Sequence, residues 1–239
     1  MRIVSLAFVF SIISAQWSSE SAYLLEKNRK EIGLFSPFKI GMNSGSEIGV
    51  NKFLLMPSIY LKQEVSKYNA WKMARKFRLE YPTPGLKWIQ SPLGKEMGDP
   101  NMFSLISSQF SIPHMISFYA GLIGTKGDLK LGQLSLNGGI GIALNGKKLS
   151  NDATVDLPVI YPRLSVYYNN FVIKSGGEYA RLISDQLYYV IDYEMYLMPG
   201  NGGRYAFEQE SVLVWQKSNW LNLSFGYKLI VGEYPFGGQ

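Results

Sequence analysis

Between Trp220 and Gly232 the chain reads WLNLSFGYKLIVG, and with a period of two it separates into two faces. Leu221, Leu223, Phe225, Tyr227, Leu229 and Val231 fall on one. Asn222, Ser224, Gly226, Lys228 and Gly232 fall on the other, with Ile230 the exception. Successive side chains of a strand point to opposite sides, so the stretch is a ribbon apolar on one side and polar on the other. Two settings suit such a ribbon: a soluble barrel with an apolar inside, or a membrane barrel with an apolar outside.

The rhythm recurs along the chain. Trp71, Met73, Phe77, Leu79 and Tyr81 alternate with Lys72, Ala74, Lys76, Arg78 and Glu80, Arg75 being out of phase. Leu134, Leu136, Ile140, Ile142 and Leu144 alternate with Gln133, Ser135, Asn137, Gly139, Gly141 and Ala143. Leu187, Tyr189, Ile191, Tyr193, Met195 and Leu197 stand against Gln186, Asp192 and Glu194. Strands are expected at 30–42 and 47–65, each carrying a proline (Pro37, Pro57), and at 70–81, 112–124, 129–145, 158–168, 171–183, 186–198, 204–216 and 220–232. The phase is blurred near Gly176 and Gly177 and over 204–216. The segment 82–111 is rich in proline and glycine and reads as a long loop with a short helix near Asn101 to Ser107. A second long loop covers 146–157, and PGNGG at 199–203 is a turn signal.

At the N-terminus Arg2 precedes an apolar run, Ile3 to Ser14, then Ala15 and a polar stretch. This reads as a cleaved secretory signal over 1–15, followed by a lead-in over 16–29 and a single domain over 30–239. The run is shorter than the ~20 apolar residues of a spanning helix. A membrane location therefore requires a barrel, because only helices and closed barrels satisfy every backbone group in lipid. The strands run about 11 to 16 residues, where soluble ones average about 5 to 6 and a tilted spanning strand needs about 9 to 11. With both termini on the inner side, ten strands put loops 82–111 and 146–157 on the outer side, and Trp71, Tyr81, Tyr168, Trp215 and Trp220 lie near strand ends as an interfacial girdle would.

The fold expected is all-β, an antiparallel up-and-down transmembrane β-barrel of about ten strands, with eight to twelve admitted. On its leader and on the alternating runs at 129–145, 186–198 and 219–232, the chain resembles the small bacterial outer-membrane β-barrel proteins. That resemblance implies outer-membrane lipid and the barrel assembly machinery as partners. One departure stands out: such barrels usually end on an aromatic residue, whereas this chain passes Phe236 and ends Gly237-Gly238-Gln239.

The candidate interior residues are Lys72, Lys76, Arg78, Glu80, Arg163, Asp192, Glu194 and Lys228. In a narrow barrel they form a packed salt-bridge network. In an open one Lys72, Lys76 and Arg78 would select anionic solutes. No catalytic, metal or cofactor set is nominated. The single histidine, His114, has its nearest serines, Ser111 and Ser117, three residues away and so on the opposite strand face. Gly141 to Lys148 has the outline of a phosphate loop but lacks the following Ser or Thr and a helix. There is no cysteine, and the net charge of +6 is spread along the chain, which points away from nucleic acid and towards anionic surfaces. The expected function is a structural or narrow-pore barrel whose outward loops bind a partner or surface lipid. The alternatives are a barrel enzyme hydrolysing envelope lipid through His114 and a soluble periplasmic barrel holding lipid inside.

Overall fold

A computed structural model describes residues 3–5, 20–32, 37–42, 45–51, 56–90, 112–144, 161–199, 205–218 and 221–233. The expected helix near Asn101 to Ser107, loop 146–157, most of the PGNGG turn, Trp220 and the tail after 233 lie outside these residues. The strands are β1 (Ile3–Ser5), β2 (Lys30–Glu31), β3 (Phe38–Met42), β4 (Ser46–Asn51), β5 (Ser58–Tyr68), β6 (Trp71–Glu80), β7 (Ser117–Asp128), β8 (Gly132–Ala143), β9 (Phe171–Ser184), β10 (Leu187–Leu197), β11 (Tyr205–Ser218) and β12 (Leu221–Gly232). Two helices join them, α1 (Thr83–Gln90) and α2 (Tyr161–Asn169). From β2 to β12 each strand pairs antiparallel with the next in sequence, and β1 adds to the free side of β12. Among the described residues no ladder joins the β12 edge to the β3 and β2 edge, so the sheet is up-and-down but open.

Three expected strands are corrected. The run 47–65 is two strands, because Pro57, which has no amide to give a ladder, sits immediately before β5 instead of inside one long strand. Likewise Pro37 precedes β3, and the residues expected as one strand over 30–42 become β2 and β3 paired back to back through Lys30 and Ile40. The run 158–168 is mostly helix. Pro162 occupies its first turn, where a missing amide costs nothing, and Asn170 ends it with φ of 69°. Leu164, Ser165, Val166, Tyr167 and Tyr168 are all buried, so this helix lacks the polar stripe that reveals a period of 3.6. Tyr168 is therefore a core residue and not part of a girdle.

The two ends of the sheet differ. At one, adjacent strands are joined by residues 43–45, 69–70, 129–131, 185–186 and 219–220 alone. At the other lie 52–57, 81–116 with α1, 144–170 with α2, and 198–204. The ten strands β3 to β12 also begin and finish at this long-connection end, since Phe38 pairs with Val50 there and Gly232 with Ala206. The parity expected from sequence does not hold: 82–111 and 146–157 share an end with both termini of the ten-strand run. Splitting 47–65 reversed the direction of every strand up to the second loop, and replacing a strand by α2 reversed it back.

The helices pack on the concave face at the long-connection end. There Met56, Leu86, Ile112, Met115, Tyr119, Leu164, Tyr167, Val172, Tyr196 and Met198 form the main apolar cluster. Tyr167 of α2 donates to Ser117 of β7 at 2.9 Å. On the convex face the alternating apolar side chains stay exposed, Leu122 at 56%, Ile140 at 55% and Phe225 at 65% among them.

Candidate functional site

The inward positions of the long strands carry charge. Strand β6 turns Lys72, Lys76, Arg78 and Glu80 inward, β9 Lys174 and Glu178, β10 Asp192 and Glu194, β11 Glu208 and Glu210, and β12 Lys228. Burying such groups is costly unless each finds a partner, and most do. Lys76 Nζ donates to Glu20 Oε1 at 2.6 Å. Arg78 Nε lies 3.0 Å from Glu80 Oε1, as an ion pair off hydrogen-bond alignment, with its guanidinium 4.4 Å from the Tyr119 ring centre. Arg163 reaches down from α2 and grips both oxygens of Glu208, at 2.7 and 3.1 Å. Lys228 lies 3.0 Å from Glu208 and 3.2 Å from Glu210. Glu194 takes Lys174 at 2.5 Å and the Tyr196 hydroxyl at 2.7 Å. Lys72 pairs with Glu64 at 3.3 Å near the short-turn end, where both are partly exposed. Asp192 Oδ1 and Asn137 Nδ2 are enclosed without a hydrogen-bond partner.

All eight residues nominated from sequence thus lie on the concave side, Arg163 from a helix and not a strand. Sequence reasoning missed several of their partners. Glu208 and Glu210 sit in β11, where Gln209 and Ser211 make the outward face polar as well and hide the phase. Lys174 and Glu178 flank Gly176 and Gly177, whose lack of side chains blurred β9. Glu47 and Lys62, 3.3 Å apart, fell within the run misread as one strand.

The remaining partner, Glu20, belongs to no strand. Residues 20–28 run across the concave face: Glu20 N donates to Glu178, Ala22 N to Thr125 Oγ1, Leu25 N to Glu47, and the Tyr23 hydroxyl to the Gly127 carbonyl. Lys62 Nζ in turn donates to the carbonyls of Ser21 and Tyr23. Burial pushes the Glu20 carboxyl up, but Lys76 and Lys174 outweigh it and hold it at about 2. Among the described residues, two of the spaces around these groups measure about 60 and 70 Å³. Each has room for a few waters.

His114 stands apart. Its Nδ1 meets the Tyr81 hydroxyl at 2.7 Å in an exposed stacked pair, while Ser117 is buried and bonded to Tyr167. Ser111 is outside the described residues. Among the described residues no three acidic or histidine side chains converge as metal ligands would. No protein-family model, no curated protein and no solved structure matches the chain.

Proposed function

We propose that the chain is an outer-membrane β-barrel protein of structural type, with a filled interior. One observation carries the reading: the polarity of the sheet is inside out. Glu47, Lys62, Glu80, Glu178, Glu194, Glu208 and Glu210 are buried on the concave side, while leucine, isoleucine and aromatic side chains remain exposed across β5 to β12. Soluble monomers rarely expose a contiguous apolar surface of that reach, whereas a barrel in lipid requires it. Two pairs of polar groups on the convex face bond to each other, Arg75 with Gln63 and Gln209 with Ser211. The same polarity counts against a soluble lipid-binding cup, and the Tyr81 and His114 pair against a serine hydrolase.

Closure is part of the proposal. Strands β3 and β12 run in opposite directions, so their union gives an even, ten-stranded antiparallel barrel. Removal of the leader takes β1 off the β12 edge, and only the two-residue β2 then has to yield. The long connections face outward, by the usual asymmetry of short inner turns and long outer loops. The interior, crossed by residues 20–28 and capped by α2, is plugged.

Membrane fractionation with a comparison of unheated and boiled samples on a gel tests the reading. A heat-modifiable species in the outer-membrane fraction is expected. Recovery of the folded protein in the soluble fraction would overturn it.

A further inference from the structure

The sheet registers place an unusual row on the concave face. Glu47 pairs with Lys62, Lys62 with Lys76, Lys76 with Gly121, Gly121 with Gly139, and Gly139 with Lys174. Three lysines therefore flank a bay of two glycines. Like charges directly opposite each other, as Lys62 and Lys76 are, destabilise a strand pair unless something neutralises them. Lys62 has Glu47 and Lys174 has Glu194, but among the described residues the strands give Lys76 only the face of the Tyr60 ring, 4.8 Å from its ammonium, and no carboxylate. The bay is bare by construction: a Cβ on Gly121 would come within 2.8 Å of the Gly138 carbonyl and one on Gly139 within 2.6 Å of that of Ala120. Into it projects the carboxylate of Glu20, from a segment that precedes the sheet. Both interior spaces are lined by Glu20, Lys76, Arg78 and Lys174, and the smaller also by Asn137, whose Nδ2 has a proton to give and no acceptor.

We infer that this row is a binding site for the carboxylate of a small anionic solute, and that Glu20 fills it as a tethered occupant. The sheet supplies the cations, the empty volume and an idle amide donor. The chain supplies the anion from a separate segment, so the site opens when residues 20–28 withdraw. A purely structural ion pair needs neither the glycine bay nor a partner borrowed from outside the sheet. The inference stands on strand register and goes beyond the membrane reading, since a soluble sheet would hold the same row.

The test is replacement of the tethered carboxylate by a free one. In folded, purified protein, Glu20→Ala is expected to lower the unfolding midpoint, and sodium acetate to restore it in a saturable way. Sodium chloride at equal ionic strength should leave it unmoved. Glu20→Gln, whose amide still fills the bay, and the double variant Glu20→Ala with Lys76→Met should gain nothing from acetate. Should Glu20→Ala fold only poorly, acetate present during refolding should raise the yield of its folded form, read by resistance to limited proteolysis, and chloride should not. Equal effects of acetate and chloride, or an acetate effect shared by all three variants, would overturn the site. Neither result depends on the fractionation that tests the membrane reading.

Discussion

Among the single residues, Glu208 has the most at stake. It is almost fully buried and takes a two-pronged grip from Arg163 as well as Lys228. Its removal or that of Arg163 leaves a charge enclosed with too few partners, which costs far more than the pair gains over water. Arg163→Ala is expected to destabilise the protein by about 3 kcal/mol in a denaturant titration. Lys72→Ala, which breaks a partly exposed pair with Glu64, should cost below about 1 kcal/mol. Equal costs would mean that the concave face is as wet as the rim. Glu20 makes a second, pH-dependent contribution. Its carboxyl is held at about 2 against an ordinary 4.5, so the folded form prefers it charged. The stability it adds is complete above pH 4.5 and drains away as pH falls through about 2. The gap in unfolding midpoint between the wild type and Glu20→Gln should therefore be widest near neutrality and close in that acid window. A gap independent of pH would show that the carboxylate is not charged in the bay.

For whole elements, legibility followed from how many faces an element exposes. Strands β8 and β12 alternate polar and apolar residues, and β10 keeps an unbroken apolar outward face although Tyr188, Val190 and Tyr196 join its charges inside. Strand β11 has Gln209 and Ser211 outward and Val212 and Val214 inward, so neither face is pure. Helix α2 is buried on every side and has no stripe to read. Lys76, Arg78, Glu194 and Lys228 were legible as inward groups because each lies on a strand with clear phase. Glu20 was not, since nothing in a polar lead-in says that it returns across the sheet. The helices also give a handle on orientation. Lys87 on α1 is exposed at the long-connection end and Lys130 at the short-turn end. The chain has no cysteine, so single cysteines at these positions report cleanly. With a membrane-impermeant maleimide on intact cells, Lys87→Cys should label and Lys130→Cys should label only after the envelope is opened. The reverse pattern would turn the molecule over.

At the scale of the whole molecule, the described residues leave the sheet with two edges that do not meet. Among the described residues, strand β12 is held by β11 along its length but on its other side only by β1, opposite Ile230 to Gly232. An exposed edge of this length, flanked by apolar side chains, invites pairing with other chains, and barrels remove it by closing. In an open sheet, alternate amides from Leu221 to Leu229 face outward from the ladder without an acceptor. In a closed one, β3 supplies those acceptors. Lipid cannot replace them, because it offers no hydrogen bonds to the backbone. Hydrogen exchange on the protein lacking residues 1–15, folded in detergent, separates the two states. Protection is expected at successive amides throughout β12 and β3, together with loss of protection at Lys30 and Glu31 as β2 is displaced. Rapid exchange at every second amide of β12, with β2 still protected, would mean that the sheet stays open and that the proposed union of β3 with β12 does not form.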